Sequence, residues 1–287
     1  MREFQGKTAV VTGGASGIGL CLCQVFLNKG MNVVVADIEA PALDQAIDDL
    51  SDIGPEVVGV QTDVTSSASV GTLADRAFEA FGAVHVLCNN AGVGIKEAQR
   101  RVWTLTERDW AWGYGVNVMG VVNGIRAFVP RMLEGGEEGH VVNTSSSNGG
   151  LTSLPTTPIY ASTKAAVTSL TEVLHAQFLM DEAALKAHLL FPGPHLVNTN
   201  ILASERNRPA GLRDGDAPEA YLSMEQLAKS AGVDFQLTEP IEVARTCLAG
   251  IENDQFWILP ASDKQDARIR ERTESILARA NPELASA

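Results

Sequence analysis

Short apolar segments rich in β-branched residues recur along this chain, and stretches long enough for a helix separate them. Such segments predict buried strands, and they lie at residues 8–12, 32–36, 57–61, 84–88, 140–144, 188–191 and 255–259. Apolar residues at helical spacing predict helices near residues 17–29, 41–52, 67–81, 106–133, 158–181 and 239–252. Strands that are apolar on both faces and joined by helices pair in parallel through right-handed crossovers. The pattern therefore predicts an α/β fold, a single Rossmann-type doubly wound parallel sheet of about seven strands with helices on both faces.

The same pattern indicates how the chain is divided. A length of 287 residues suits one α/β domain, so we expect residues 1–260 to form a single Rossmann-type domain. Proline and glycine residues interrupt the helical pattern of residues 200–238. An irregular insertion of this length is typical of a lid over a substrate. The charged residues 261–287 are expected to form a C-terminal extension with one exposed helix.

Composition narrows the classes of partner. The formal net charge of −13 argues against binding of nucleic acid or an anionic membrane through a general electrostatic field. No segment approaches the roughly 20 apolar residues of a membrane helix, and the first residues lack the hydrophobic region of a signal peptide. The cysteines include no CxxC pair, and no Cys/His cluster has the spacing of a zinc site. We therefore expect a cytoplasmic protein with reduced thiols and no metal site.

A glycine-rich loop follows the first predicted strand, and a predicted helix begins directly after it. Glycines there permit a tight turn and let the backbone approach a pyrophosphate, whose charge faces the N-terminus of the helix. The position between a strand and a helix favours nucleotide binding over a purely structural turn. The contacts predicted from this loop are Gly13, Ser16, Gly17, Ile18 and Gly19.

Asp37 ends the second predicted strand, about 20 residues after the glycine loop. A carboxylate at this position can accept hydrogen bonds from the ribose hydroxyls of the adenosine, and it would repel the 2′-phosphate of NADP. Ile38 and Glu39 follow it and supply no positive charge. The sequence therefore predicts NAD rather than NADP as the cofactor, with a helix N-cap as the alternative role of Asp37.

Two further strand ends are expected to meet the same crevice, because ligands of such sheets bind beyond the carboxyl ends of the strands. An aspartate there can accept a hydrogen bond from the adenine amino group, and small residues leave room for a ribose. Capping or turn roles are the alternative for these residues. The predicted cofactor contacts are Asp63, Val64, Asn90, Ala91 and Gly92.

Tyr160 and Lys164 lie four residues apart in a predicted helix that begins with Thr157 as N-cap and Pro158 as its first residue. Side chains at this spacing share one face, so the ammonium can lie near the phenol. A free tyrosine titrates near pH ~10, and a neighbouring cation or the positive nicotinamide of an oxidised cofactor lowers that pKa. The pair is a candidate acid/base site, and a surface tyrosine beside a solvated lysine is the alternative.

Several short motifs follow one another along the chain. They are Thr12-Gly13-x-x-x-Gly17-x-Gly19, Asn89-Asn90-Ala91-Gly92, Asn117, Asn143-Thr144-Ser145-Ser146, Tyr160-x-x-x-Lys164 and Pro192-Gly193. Together they resemble the short-chain dehydrogenase/reductase family. The motifs span about residues 5–200, and the sheet pattern extends the match to about residue 260.

The resemblance implies a role for each matching position. Tyr160 would be the acid/base that exchanges a proton with the substrate oxygen, and Lys164 would bind the nicotinamide ribose and lower the tyrosine pKa. Ser146 would hydrogen-bond the same oxygen, with Ser147 as the competing candidate. Asn117 would hold a water that links Lys164 to solvent. The remaining implied cofactor contacts are Pro192, Gly193 and Thr199.

These observations predict an NAD-dependent alcohol dehydrogenase that transfers a hydride between the nicotinamide and a secondary alcohol or ketone. One alternative is an NADP-dependent carbonyl reductase that uses the same residues in reverse. Another is a protein of a different class, which senses NAD without catalysis. The Tyr160, Lys164 and Ser146 set is intact, and this favours an enzyme.

The substrate is expected to be hydrophobic or ring-bearing, because the segments expected to roof the pocket carry apolar and aromatic side chains. These segments are residues 94–104, 148–159 and the lid, with Trp103, Leu151, Leu154, Pro155, Ile201, Leu202 and Tyr221. His195 is either a pocket residue or a loop histidine. The lid arginines either meet a substrate carboxylate or are exposed; they are Arg206, Arg208 and Arg213.

Glycines are frequent in residues 113–124, where a helix is predicted. Each glycine inside a helix costs about 1 kcal/mol relative to alanine. Close approach of another element would offset this, either within the subunit or at a twofold interface. The resemblance implies that this helix and the Tyr160 helix pair across such an interface, so we expect a homodimer or a homotetramer.

Overall fold

A computed structural model describes residues 1–98, 100–213 and 236–282. Within these residues, the central sheet has seven strands, all parallel, in the order β3-β2-β1-β4-β5-β6-β9. The strands are β1 (Thr8–Thr12), β2 (Asn32–Asp37), β3 (Val57–Gln61), β4 (Val86–Asn89), β5 (Gly139–Thr144), β6 (Leu185–Leu190) and β9 (Trp257–Ile258), with a separate pair β7 (Leu196–Val197) and β8 (Leu237–Thr238). The strand order reverses between β1 and β4, which opens a crevice at their carboxyl ends. The predicted fold class is confirmed.

Helices cover both faces of this sheet. They are α1 (Gly17–Asn28), α2 (Ala40–Leu50), α3 (Ser67–Phe81), α4 (Glu107–Tyr114), α5 (Gly120–Gly135), α6 (Pro158–Met180), α7 (Pro240–Glu252) and α8 (Asp263–Ala278). Alternate residues of β1 and β2 face opposite sides, so one apolar cluster joins α1, α2 and α7 and the other joins α3, α5 and α6. Each large side chain buried there contributes about 1.5–3 kcal/mol. The two layers hold the strands rigidly and leave their carboxyl ends for a site.

The structure corrects the limits of several predicted strands. β6 begins at Leu185 rather than at residue 188, because its pairing with β5 already starts at Gly139 opposite Leu185. The polar Lys186 and His188 hide this extension from an apolar pattern. β4 begins at Val86 rather than at residue 84, and β9 has only two residues at the edge of the sheet.

The predicted helix at 106–133 is three pieces, namely α4, a π-helical segment over Gly115–Met119 and α5. Its glycines admit close neighbours from the same subunit. A Cβ at Gly113 would lie 2.5 Å from Cγ2 of Ile159, and one at Gly124 would overlap the side chain of Asn89. Close approach within the subunit therefore accounts for these glycines without a twofold interface.

The predicted lid begins with two short 3-10 helices, Asn200–Asn207 and Ala210–Leu212. The pairing of β7 with β8 joins the two sides of this insertion at its base. Residues 214–235 of the predicted lid, with Tyr221, lie outside the described residues.

The predicted terminal helix is α8, which is largely exposed and starts where the Ser262 hydroxyl accepts a hydrogen bond from the Gln265 N–H. Residues 283–287 of the extension lie outside the described residues. Among the described helices, none combines the length and the apolar character needed to cross a membrane.

Candidate active site

The glycine loop and the segment after β4 form one unit at the crevice. The Thr12 hydroxyl accepts hydrogen bonds from the backbone N–H groups of Asn90 and Ala91, at 3.0 and 3.1 Å. In return, Nδ2 of Asn90 donates to the Thr12 carbonyl at 3.1 Å. Gly13 has φ of +64°, and a Cβ there would lie only 2.9 Å from Cα of Ala91. Glycine is thus required at this position by both backbone conformation and contact.

The N-terminus of α1 faces this loop without a side-chain cap. Ser16 is the N-cap residue, and its hydroxyl forms no capping hydrogen bond. Gly17, with φ of +52°, starts the helix, and a Cβ there would lie 3.1 Å from Cγ2 of Thr199. The first N–H groups of α1 and its dipole therefore favour an anion in the crevice.

Asp37 holds the glycine loop from the end of β2. Its Oδ2 accepts a hydrogen bond from the Ala15 N–H, and its Oδ1 accepts one from the Glu39 N–H, both at 3.1 Å. Helix α2 begins at Ala40 with Glu39 as its N-cap residue, so Asp37 is not the N-cap of that helix. The carboxylate is almost buried and borders the cleft.

The first 3-10 helix of the predicted lid borders the same end of the cleft. The guanidinium of Arg206 forms a two-pronged ion pair with Glu39, with Nε–Oε2 at 3.1 Å and Nη2–Oε1 at 2.5 Å. Asn207 donates to the same carboxylate at 2.9 Å. Burial raises the pKa of Glu39, but these hydrogen bonds outweigh burial and lower the pKa below its usual range. Folding thus brings an arginine to the end of β2, and Glu39 neutralises it.

Tyr160 and Lys164 lie on one face of α6 and both line the cleft. The Lys164 ammonium is 5.6 Å from the centroid of the tyrosine ring and donates to the Thr144 carbonyl at 2.8 Å. Lys164 is only 4% exposed, and burial lowers its pKa to about 8. Burial also raises the pKa of the Tyr160 phenol, against a smaller lowering by a hydrogen bond with Ser146. The phenol pKa therefore lies above its usual value, in the opposite direction to that expected from the lysine.

The three consecutive serines after β5 make different contacts. The Ser145 hydroxyl donates to the Lys164 carbonyl at 3.1 Å and pairs with Thr168, so it serves helix packing. The Ser146 hydroxyl accepts from the Asn148 N–H, and its interaction with the phenol lowers the pKa of Tyr160. The Ser147 hydroxyl is buried and has no partner among the described residues. Contact with the phenol thus distinguishes Ser146 from Ser147.

Asn117 lies in the π-helical segment and is 1% exposed. Its Oδ1 accepts from the Val93 N–H at 2.8 Å, and its Nδ2 donates to the Val93 carbonyl and to the Thr163 hydroxyl, both at 3.1 Å. The side chain therefore ties the segment after β4 to the helix that carries Tyr160.

Most of the predicted cofactor residues line one continuous cleft. Those that border it are Gly13, Ser16, Gly17, Ile18, Asp37, Asp63, Val64, Asn90, Ala91, Gly92, Tyr160, Lys164, Pro192 and Thr199. The predicted residues that do not border it are Gly19, Asn117, Ser146 and Gly193. The backbone of Gly193 has φ of +139°, a conformation that favours glycine in the turn after β6.

The other end of the cleft differs from the predicted roof. Trp112 and Val116 line it together with the predicted Ile201, whereas Trp103 is 82% exposed. His195 is exposed, in agreement with a loop histidine. Helix periodicity alone could not select Trp112 as a cleft residue, because it packs with Val93, Ile95 and Ile159, which are distant in sequence.

The lid arginines are engaged by the protein itself. Arg208 is buried, pairs with Asp109 at 2.9 Å and with Glu205 at 3.3 Å, and lies 5.2 Å from the ring centroid of Trp112. Arg208 is therefore neither exposed nor free to meet a substrate carboxylate, because Asp109 and Glu205 already pair with it. Arg213 donates to the Arg208 carbonyl at 2.9 Å.

Comparison with known proteins identifies this arrangement. The family model for short chain dehydrogenases matches residues 7–209. The chain belongs to this family. As a short-chain dehydrogenase it is an oxidoreductase, and the recognition made from the motifs is confirmed.

Relatives cover this short-chain dehydrogenase over nearly its whole length. A CLA biosynthesis dehydrogenase/reductase of Lactiplantibacillus plantarum is 31% identical over 291 residues, covering 99% of this chain and 98% of the relative. A C alpha-dehydrogenase of Sphingobium sp. is 31% identical over 261 residues, covering 91% of this chain and 82% of the relative. The crystal structure of a short chain dehydrogenase/reductase from Burkholderia phymatum in complex with NAD is 40% identical, with a TM-score of 0.89 and 100% coverage of both chains.

A residue that the motifs missed lies behind the Tyr160 and Lys164 pair of this short-chain dehydrogenase. Glu97, in the segment after β4, is 1% exposed. Its Oε2 accepts from the Ile159 N–H at 2.6 Å, and its Oε1 accepts from the Tyr160 N–H at 2.9 Å. A lone glutamate in a loop gives no sequence signal, because its partners are backbone groups more than 60 residues away.

Among the described residues of this short-chain dehydrogenase, three side chains with possible metal-ligand atoms lie close together at the amino ends of β5 and β9. Glu138, His140 and Asp254 have donor atoms within 4.8 Å of one another. The two carboxylates already form ion pairs with the Met1 ammonium and with Lys186. The negative charges of Glu138 and Asp254 are thus balanced by groups of the protein, so these residues do not indicate a bound cation.

Proposed function

We propose that this short-chain dehydrogenase uses NAD to interconvert a hydrophobic or ring-bearing secondary alcohol and its ketone, with Tyr160 as the acid/base. The observation that carries the proposal is the convergence of Tyr160 and Lys164 at a cleft that begins at the glycine loop, with Ser146 acting on the phenol from outside the cleft lining. The cytoplasm is the proposed compartment, and the proposed partners are a small-molecule substrate and copies of the same chain.

The cleft suits a dinucleotide. An uncapped helix N-terminus meets the glycine loop, where a pyrophosphate would be bound. Asp37 borders the cleft with a carboxylate that can accept from ribose hydroxyls and that disfavours a 2′-phosphate. Lys164, Pro192 and Thr199 would hold the nicotinamide half. The relative from Burkholderia phymatum was solved in complex with NAD, which supports the same cofactor here.

The chemistry divides between the cofactor and the protein. NAD supplies a hydride acceptor when it is bound. In the oxidative direction, Tyr160 takes the proton of the substrate hydroxyl, while the Ser146 hydroxyl holds the same oxygen in place. The Lys164 ammonium, 5.6 Å from the ring centroid, favours the phenolate against the burial that raises the phenol pKa, and its donation to the Thr144 carbonyl fixes its position. Asn117 supports the site by holding Val93 and Thr163 together.

The described wall of the substrate end is apolar, and this supports a hydrophobic substrate. Val93, Trp112, Val116 and Ile201 border the cleft beyond Tyr160. The relative from Sphingobium sp. is a C alpha-dehydrogenase, and similarity to it is in keeping with an alcohol as substrate. The proposed unit is one catalytic domain over residues 1–260 with a lid at residues 200–238 and an extension at 261–287.

A reductase with NADP is the second candidate. The observation that favours it is Arg206 at the end of β2, where a cation would attract a 2′-phosphate. Its pairing with Glu39 and the proximity of Asp37 oppose it. The non-catalytic, NAD-sensing alternative has no supporting observation, since the proposed acid/base set is complete.

Binding and turnover with the two cofactors test the proposal. We expect NAD to be reduced in the presence of a panel of hydrophobic secondary alcohols, and NADH to bind more tightly than NADPH. Absorbance of the reduced nicotinamide measures turnover, and its fluorescence measures binding. Tighter binding of NADPH would contradict the cofactor assignment, and tight NADH binding without turnover of any alcohol or ketone would favour a sensor.

A further inference from the structure

The N-terminus of α6 is capped from outside its own sequence. Pro158 has no N–H group, and the Thr157 hydroxyl at the N-cap accepts from Nδ2 of Asn148 at 2.7 Å instead of capping the helix. The next two N–H groups, those of Ile159 and Tyr160, are bound by the two carboxylate oxygens of Glu97. A buried carboxylate with both oxygens on the first turn of a helix is a strong anchor, since these bonds are charge-assisted and aligned with the helix dipole.

The segment that carries Glu97 also touches the other parts of the site. Val93 is held by Asn117 through two hydrogen bonds, at 2.8 and 3.1 Å. The Gly94 N–H donates to the Ser204 hydroxyl of the first lid helix at 3.2 Å. Residues 93–97 thus link the π-helical segment, the lid and the backbone of Tyr160.

We propose that Glu97 is a positioning residue for Tyr160. Glu97 fixes where the phenol lies in the cleft, and residues 93–97 couple the phenol to the first helix of the lid. This proposal rests on the proposed role of Tyr160 as acid/base. Glu97 itself does not border the cleft, so its effect on the reaction passes through the tyrosine backbone.

The geometry predicts how two conservative substitutions of Glu97 would act on the anchor. Glutamine has only one acceptor oxygen, so one of the two hydrogen bonds is lost. Its amide NH2, a donor, would then face a backbone N–H, which is also a donor. Aspartate keeps the charge but is one methylene shorter, so it reaches one N–H group and keeps part of the anchor. A displacement of about 1 Å at a reacting group costs up to about 100-fold in rate.

The first test compares Glu97→Gln with Glu97→Asp and with the wild type. We expect kcat to fall about 10- to 100-fold in Glu97→Gln and less in Glu97→Asp, while the Kd of NADH measured by fluorescence stays unchanged in both. Ile251→Ala is the matched control, because it removes a buried side chain beneath the sheet and lowers the melting temperature without contact to the cleft. Unchanged kcat in Glu97→Gln, or an equal fall in Ile251→Ala, would overturn the proposal.

A second measurement does not depend on turnover. Hydrogen exchange of the Ile159 and Tyr160 amides should be slow in the wild type and faster in Glu97→Gln, with exchange in α1 unchanged. If the wild type turns over no alcohol or ketone, the proposed function fails, and this exchange pattern still reports on the anchor. Unchanged exchange at these two amides would overturn the positioning role whether or not the enzyme is active. If Glu97→Gln fails to fold, the same two readouts on Glu97→Asp decide.

Discussion

At the scale of single residues, burial sets the acid–base properties of the site. Lys164 is enclosed between α6 and the end of β5, and its ammonium has the Thr144 carbonyl as hydrogen-bond partner. Removal from water disfavours the charged form, which lowers the pKa of Lys164 to about 8. The same burial raises the pKa of the Tyr160 phenol. The charged Lys164 therefore costs free energy at neutral pH before any ligand binds, whereas burial favours the neutral form of the Tyr160 phenol.

A substitution at Lys164 should separate stability from activity. Lys164→Met keeps the apolar stem and removes the buried charge, so we expect unfolding at pH 7 to cost about 1–3 kcal/mol more than in the wild type, while turnover falls about 100-fold or more. The folded-state pKa of about 8 lies below the reference value of 10.5. The destabilisation by Lys164 is therefore complete below pH 8 and is relieved as the pH rises to 10.5.

Denaturant unfolding of both proteins across this pH range measures the effect. The excess stability of Lys164→Met should shrink as the pH rises above 8. A variant that is less stable than the wild type at pH 7 would show that the hydrogen bond to Thr144 outweighs the desolvation of the ammonium.

Several of the candidate residues can be predicted from sequence because their local context is sufficient. Gly13 lies between a strand and a helix, and Asp37 lies at a strand end, so their positions follow from the alternation of elements. The partners of Glu97 and Arg206 could not be predicted, since each partner is distant in sequence. The chemical roles of Tyr160, Ser146 and the cofactor residues stay predictions.

At the scale of elements, the strands and most helices follow from periodicity, and the exceptions have tertiary causes. β6 extends further than its apolar run because β5 offers pairing partners along its whole length. The helical pattern of residues 106–133 conceals the π-helical segment that turns Asn117 inward toward Val93. Such a local change of winding is stabilised by side-chain hydrogen bonds that a single segment does not reveal.

The glycines of α5 give a prediction at this scale. Gly124→Ala places a methyl group against Asn89, whose Nδ2 donates to Oδ1 of Asn143 at 2.8 Å in the core beneath the cleft. We expect a loss of about 1–3 kcal/mol in the free energy of unfolding, as for other overpacked cores. Gly71→Ala in α3 is the matched control, since a Cβ there meets nothing within 4 Å and helix propensity favours alanine by about 1 kcal/mol.

Chemical denaturation of the two variants checks this prediction. Equal changes of stability in both would show that helix propensity, rather than the approach of α5 to β4, decides the effect at Gly124.

At the scale of the whole molecule, α5, α6 and β9 carry exposed apolar side chains. They are Leu133, Val173, Leu179, Met180 and Trp257. Because the formal net charge of −13 disfavours non-specific association, contact through such a surface would be specific. We therefore expect a homodimer or a homotetramer, as predicted from the family resemblance.

Light scattering at micromolar concentration measures the assembly. A mass of twice or four times the chain mass of 30.5 kDa is expected. A monomer would contradict this prediction and would show that a second copy of the chain does not cover the exposed apolar side chains.

The most direct test of the account compares NAD reduction by the wild type and by Tyr160→Phe, with the best alcohol from the panel. The substitution removes only the hydroxyl, so NADH binding and the melting temperature serve as controls for an intact site. We expect kcat to fall about 100-fold or more while the Kd of NADH does not change. Turnover by Tyr160→Phe at the rate of the wild type would show that this phenol does not exchange the proton of the substrate.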